Sequence, residues 1–178
     1  KEIYTQFAYK LVSAINRVTV VTPHAIIASV VLNSSQKRIY RNQLLAHAEI
    51  YMANLVSQNA SLADTLLIDR GIAFDNELES FVQNKFIEKG ASEYSSSTQF
   101  NLLFKINENR RPSLEYYKNS SVIFFIPAAF TAFSILKNDA FQFSATDLHA
   151  TYKFLNEFFE NEFIFDYEHS IEYVVRKN

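Results

Sequence analysis

Four histidines, His24, His47, His149 and His169, are the side chains with the intrinsic pKa best suited to moving protons or ligating a metal. A helical metal pair needs ligands three or four residues apart on one face. His47 is followed by Glu49 at plus two, which points elsewhere, and by Tyr51 at plus four. His169 has Glu172 at plus three, but no second copy of that pair exists to complete a site. The four therefore read as ordinary surface or core histidines, and no metal is expected. Serine hydrolysis lacks its strand-to-helix elbow, because no Gly-x-Ser-x-Gly is present. With no cysteine there is no thiolate nucleophile, thiolate zinc site or disulfide framework. Glu157 and Glu160 read as a solvated helix face, not an acid–base pair.

Arg110 and Arg111, followed by Lys118, make the densest basic cluster. A guanidinium offers a planar fork of donors that suits phosphate. The same residues equally suit a polar loop beside the helix that Pro112 opens. Tyr116, Tyr117, Lys118 and Asn119 then place two aromatics, a cation and an amide within one helical turn. On a helix Tyr116 and Asn119 share a face while Tyr117 and Lys118 point away, so at least two of the four are expected to be buried. A buried amide or hydroxyl requires a specific partner, which makes this turn either a packing lock or a binding site. Tyr117, Lys118, Asn119, Arg110 and Arg111 are the candidates for contact with a substrate or another domain. No catalytic residue stands out. No cofactor is expected either, since the only glycines, Gly71 and Gly90, lie too far apart for a Gly-rich phosphate loop.

The elements that must position these residues follow from the scarcity of punctuation. The chain has 178 residues with 2 Gly and 3 Pro, where average usage would supply about twenty of the two together. Sandwiches, barrels and doubly wound sheets need many more Gly/Pro turns. The expectation is a mainly α, multi-helix bundle of seven or eight helices forming a single domain. At most one short β-hairpin or wing is expected, near residues 93–106. The net charge of −2 and the absence of like-charge blocks leave no nucleic-acid footprint. With 17 Phe and 10 Tyr, a thick aromatic core, an apolar pocket or an opened interface is required. The chain opens Lys-Glu-Ile-Tyr-Thr and enters an amphipathic pattern at once, so a fragment of a longer protein is expected, not a signal peptide.

Ile3, Phe7, Leu11, Ala14, Ile15 and Val18 recur at helical spacing over residues 3–21. Thr22-Pro23 reads as an N-cap with proline at the first helical position, opening an almost wholly apolar helix to Leu32. Further helices are expected from Gln36 to Gln58, from Ser61 to a C-cap at Gly71, and from Asp75 to Lys89 with Gly90 as its stop. Ala91–Gln99 reads as a polar loop. Gln99–Ile106 reads as a short strand that could pair with Glu93–Ser95 or Ile72–Phe74. Pro112 opens a helix that runs on into the uncharged stretch Asn119–Leu136, kinked at Pro127; at 18 residues this stretch is at the lower edge of a membrane span and reads as buried core. Ser144 and Asp147 form a capping box for a helix to Glu160, and Tyr167–Lys177 is a last helix.

Three phrases carry a family resemblance. Asn16-Arg-Val-Thr-Val-Val-Thr-Pro-His-Ala-Ile-Ile-Ala-Ser-Val-Val-Leu32 resembles the segment that follows the catalytic domain in glycerol-3-phosphate and dihydroxyacetone-phosphate acyltransferases. Leu114-Glu-Tyr-Tyr-Lys-Asn-Ser-Ser-Val-Ile-Phe-Phe-Ile-Pro-Ala-Ala-Phe130 is similar to that family's Tyr-Tyr-(Arg/Lys)-Asn…Pro stretch. Phe154-Leu-Asn-Glu-Phe-Phe-Glu-Asn-Glu-Phe-Ile-Phe165 is similar to the region near the family's end. The three stand in family order and span most of the chain. The family's catalytic signature, His followed five positions later by Asp, is missing: that offset holds Ser29, Met52, Phe154 and Val174.

The resemblance implies a C-terminal helical domain of an acyltransferase that supports or covers the catalytic domain and is not catalytic alone. The parent would move a fatty acyl group from acyl-CoA or acyl carrier protein to the sn-1 hydroxyl of a phosphorylated acceptor, in phospholipid synthesis. Its implied partner is the catalytic domain of the same polypeptide, with peripheral membrane contact and a cytoplasmic or cytoplasmic-face location. The other classes compatible with the composition are a free-standing helical module for a lipid or other apolar ligand, and a protein–protein interaction bundle.

Overall fold

A computed structural model describes residues 2–34, 38–90, 102–137, 144–165 and 170–177. In chain order the first elements are α1 (Glu2–Val18), β1 (Val20–Val21), α2 (Pro23–Asn33), β2 (Arg38–Tyr40), α3 (Arg41–Ser57), β3 (Ser61–Leu62), α4 (Asp64–Ile68) and α5 (Arg70–Gln83). Then follow β4 (Ile87–Lys89), β5 (Leu103–Ile106), α6 (Arg111–Asn119), α7 (Ile126–Lys137), α8 (Ala145–Phe158) and α9 (Ile171–Lys177). Single 3-10 turns occupy Glu108–Arg110 and Val122–Phe124. The fold is mainly α, with nine α-helices and two small sheets among the described residues. The residues form two compact units, 20–122 and 1–19 with 123–178, which are taken in turn.

In the 20–122 unit α2 is the central helix. Thr22 caps it, its Oγ1 accepting the Ala25 N–H at 3.3 Å, and Pro23 takes the position where a missing N–H costs nothing. Every residue from Ala25 to Leu32 is buried, as an all-apolar helix demands. It packs against α3, α5 and α6. α3 presents Leu44, Ala48, Met52 and Leu55 at steps of three and four, and α5 presents Phe74, Leu78 and Phe81. The run Val18-Thr-Val-Val-Thr22 is β-branched throughout, which disfavours helix. α1 accordingly stops at Val18, and β1 pairs in parallel with β3.

β5 is the centre of a three-stranded antiparallel sheet between β2 and β4. Phe104 and Ile106 are buried and Lys105 is exposed, the period-two pattern of a half-buried strand. Phe104 lies opposite Ile39 and Lys89, and Ile106 lies opposite Ile87. The expected strand is thus present at 103–106. Its partners are Arg38–Tyr40 and Ile87–Lys89; Ile72–Phe74 lies inside α5. Ala91–Gln99 with Glu93–Ser95, the expected helix starts at Gln36 and Tyr167, and His169 all lie outside the described residues.

Two helix stops fall at other residues than the glycines. Gly71 is the second residue of α5, and Gly90 follows a strand, its N–H donating to Leu103 O at 2.8 Å. Among the described residues the left-handed ones are Asn59 (φ 55°) and Lys85 (φ 57°). Each closes a helix by a Schellman motif. Ala60 N–H donates to Leu55 O and Asn59 N–H to Val56 O, both at 3.0 Å; Phe86 N–H donates to Phe81 O at 2.9 Å and Lys85 N–H to Val82 O at 3.1 Å. The apolar contact that accompanies the motif is Phe86 on Phe81, ring centroids 5.3 Å apart. A non-glycine residue in this region costs about 1 kcal/mol. Lys85 is exposed, so Lys85→Gly is expected to raise stability by about 1 kcal/mol. A urea titration reads this as a higher midpoint at unchanged slope; a lower midpoint would mean that the lysine side chain outweighs the backbone cost.

In the other unit α7 packs on α8 and α9 around Phe130. The Ser144 cap is as expected: its Oγ accepts the Asp147 N–H at 3.1 Å, while the Asp147 carboxylate accepts from Ser144 Oγ at 2.6 Å. The uncharged stretch does not form one kinked helix. The turn at Val122–Phe124 divides it, and Pro127 stands at the start of α7, where proline is tolerated. No described helix is long and apolar enough to cross a membrane. Tyr152 of α8 is buried, which pushes its phenol up to about 12.

Candidate functional site

His24 is the only ionisable side chain of α2 and sits in its first turn. Its Nδ1 lies 2.7 Å from Glu77 Oε1 of α5, the two side chains being 23% and 17% exposed. Neither His24 Nε2 nor Glu77 Oε1 has a hydrogen-bond partner, and both atoms are buried. Three aromatic rings surround the imidazole: Tyr117 at 4.0 Å, Phe81 at 4.7 Å and Phe86 at 5.9 Å between centroids. Phe86 and Tyr117 also meet each other edge to face at 6.2 Å.

Arg110 joins this cluster from above. Its guanidinium carbon stands 5.7 Å from the centre of the Phe86 ring, within cation–π range. Asn107 sets that position. Its backbone N–H donates to Phe86 O at 3.0 Å, its side-chain amide donates to Lys85 O at 2.9 Å, and its own carbonyl accepts the Arg110 N–H at 2.9 Å. The left-handed turn at Lys85 and the 3-10 turn after Asn107 are therefore locked together, with Phe86 and Arg110 facing across the join. Arg110 makes no ion pair among the described residues. An aromatic floor, an imidazole with a carboxylate behind it and a guanidinium with open donors can receive an anion.

The remaining candidates are placed differently. Lys118 pairs with Glu115, and Arg111 pairs with Glu108 at 3.0 Å and Glu115 at 3.6 Å. The hydrogen bond and the charge of Glu108 raise the Arg111 guanidinium above its usual value. None of the four residues Tyr116–Asn119 is buried, contrary to expectation. The reason lies in which side of α6 faces inward: Leu114 is fully covered, as is Ser121 just past the helix end, and Lys118 between them is half-buried. Tyr116 and Asn119 point outward, so the loss of Asn119 would leave no buried group unpaired. Tyr117 and Arg110 are brought together at the His24 cluster; Lys118, Asn119 and Arg111 are not part of it.

The family described as glycerol-3-phosphate acyltransferase C-terminal region matches residues 1–178. The chain belongs to that family. No curated protein and no solved structure gives a match. As a glycerol-3-phosphate acyltransferase C-terminal region, the chain is the helical module that shares a polypeptide with a catalytic acyltransferase domain and supports it. Successive acyltransferase-like phrases touch in the fold. The first and second meet at His24 and Tyr117, and the end of the second meets the third where Phe130 lies 5.6 Å from Phe159.

Reasoning from this acyltransferase region's sequence missed Glu77, Phe81, Phe86 and Asn107. One signal was available: a single histidine in an otherwise apolar, buried helix needs a polar partner from elsewhere. Which residue supplies it is a long-range fact.

Proposed function

We propose that this region packs on the catalytic domain of a glycerol-3-phosphate or dihydroxyacetone-phosphate 1-O-acyltransferase and borders its substrate pocket. Residues 1–178 act there as one module. The parent reaction transfers a fatty acyl group from acyl-CoA or acyl carrier protein to the sn-1 hydroxyl, at the start of phospholipid or ether-lipid synthesis. The enzyme works in the cytoplasm or as a peripheral protein on the cytoplasmic face of a membrane. The observation that carries the pocket role is Arg110. Of the three cations in the basic cluster, Arg111 and Lys118 are tied to carboxylates while Arg110 keeps its donors open above Phe86. Both substrates of such a reaction bear phosphate, which an open guanidinium recognises well. Tyr117 stands beside it as the second contact, with Lys118, Asn119 and Arg111 on the flank.

In the intact acyltransferase polypeptide, Arg110→Ala is expected to lower kcat/KM for the phosphorylated acceptor or the donor. A hydrogen bond to a charged group is worth about 1.5–3 kcal/mol, or about 10- to 100-fold. The folded content by circular dichroism should not change, since the side chain is exposed. Unchanged turnover would remove Arg110 from the pocket. Full activity of the catalytic domain without residues 1–178 would overturn the role of the whole region.

A further inference from the structure

We propose that Lys85 is the second cation of the Arg110 pocket, and that the two together select a phosphate monoester. This rests on the reading in which Arg110 borders the substrate pocket, and it names the chemical class that the pocket takes.

Lys85 stands in the left-handed region at φ 57°. Glycine adopts this backbone without steric cost, and asparagine is the common substitute. Asn59 follows that preference and Lys85 does not. A strained backbone kept at an exposed lysine points to a use for the side chain itself. A cation near the C-terminus of α5 also meets the negative end of the helix dipole. That service needs only a place in the last turn, where the backbone is helical and unstrained, and α5 has no basic residue there.

The turn at Lys85 and the turn at Arg110 are bonded to one residue. Asn107 donates its side-chain amide to Lys85 O at 2.9 Å and accepts the Arg110 N–H on its backbone carbonyl at 2.9 Å. Phe86, next to Lys85 in the chain, carries the Arg110 guanidinium 5.7 Å from its ring centre. Both cationic side chains are exposed. The carboxylates nearby are matched elsewhere: Glu77 lies against His24, Glu108 and Glu115 hold Arg111 and Lys118, and Glu88 is opposite Lys105 in the sheet. Among the described residues neither Lys85 nor Arg110 has a carboxylate partner. The join therefore keeps two uncompensated positive charges.

A phosphate monoester carries about −1.5 to −2 charge at pH 7 and offers three strong acceptor oxygens. A guanidinium gives such a group two parallel donors, and an ammonium on a flexible stem closes on it as a point charge. A phosphodiester, with a single charge, gains little from the second cation. Two groups in the proposed reaction meet the requirement, the phosphate of the acceptor and the 3′-phosphate of coenzyme A.

Steady-state kinetics on the intact acyltransferase polypeptide, with urea unfolding of each variant, tests this. Lys85→Gln is expected to raise the KM of one substrate about five- to tenfold at unchanged kcat, between the weight of an exposed ion pair and that of a hydrogen bond to a charged group. Lys85→Arg should keep the original KM. Lys85→Gly should show the same rise as Lys85→Gln even though it relieves the backbone. A rise confined to the acceptor assigns the acceptor phosphate. A rise confined to acyl-CoA assigns the 3′-phosphate if it vanishes with acyl-dephospho-CoA, and overturns the monoester if it persists. Unchanged KM values in Lys85→Gln would overturn the proposal, and a lower urea midpoint beside them would leave the lysine serving the helix dipole alone. Equal rises for both substrates, or a fall in kcat alone, would show a structural effect and overturn it too. If Arg110→Ala lowers kcat/KM while Lys85→Gln changes nothing, only this inference falls; if neither has an effect, the pocket reading falls with it.

Discussion

Replacing Phe81 with alanine is expected to destabilise the 20–122 unit by about 3–5 kcal/mol, the range for a fully buried ring. Phe81 has no exposed surface and stands one turn from the end of α5. Its ring supports His24 on one side and Phe86 on another. The cost of such a deletion depends on how far the surroundings can close over the cavity. Here they are pinned. The backbone beside the cavity is fixed by the Phe86 N–H bond to Phe81 O and the Lys85 N–H bond to Val82 O, and Asn107 bonds the carbonyls of Lys85 and Phe86 from outside. The loss should therefore lie in the upper part of the range. Against a total stability of about 5–15 kcal/mol for a domain, that is a large fraction. Urea unfolding of the variant measures it; a loss below about 1 kcal/mol would show that the aromatic cluster packs as a surface feature and not as core. A second effect follows in the intact enzyme: the floor beneath Arg110 rests on Phe81, so activity should fall in Phe81→Ala even at temperatures where the variant stays folded.

How much of this was legible in advance divides along the distance between partners. Local signals read correctly. Thr22-Pro23 and Ser144 with Asp147 are helix starts because cap and capped N–H lie within three residues. The all-apolar composition of residues 25–32 is enough to bury α2. The helix stops were misplaced because glycine is the usual left-handed residue, whereas the Schellman turns here use Asn59 and Lys85 and are held by backbone bonds that no composition reveals. Arg38–Tyr40 looks helical by pattern and becomes a strand because Ile39 finds Phe104, sixty-five positions away. Ser61 is the expected start of a helix, yet Ser61 and Leu62 pair with β1 and Ala63 is the N-cap, without a side-chain bond.

The candidate site follows the same division. Tyr117 and Arg110 stood out for local density, but their significance comes from His24, Glu77 and Phe86 on other elements. Lys118 and Arg111 stood out equally and are neutralised by Glu108 and Glu115 in their own neighbourhood, which the spacing of three and four residues could have indicated. The period of α1 was plain from its sequence. That Ile3, Phe7 and Val18 stay exposed was not, because amphipathicity indicates only that some cover is required.

Phe130→Ala is the matching test in the other unit, again at about 3–5 kcal/mol. Phe130 is 7% exposed and is surrounded by Tyr152 at 5.8 Å, Phe159 at 5.6 Å and Phe165 at 5.8 Å. Those three come from α8 and the connection after it, while Phe130 comes from α7, so the ring is the join between the two family-like phrases in this unit. The buried Tyr152 must also stay neutral there, its phenol being held up at about 12. A group whose folded pKa is raised contributes stability below its unfolded value, near 10, that is lost as pH climbs through that range. The alanine variant opens Tyr152 to water and should lessen this alkaline loss. Hydrogen exchange by mass spectrometry separates the outcomes. If the units unfold independently, amides of residues 126–136 and 148–158 lose protection while those of 25–32 keep theirs. Equal loss in both sets would mean that the 178 residues open as one cooperative body. A module that must hold its shape against a catalytic domain gains from the second outcome, since any local opening would then carry the full cost of unfolding the region.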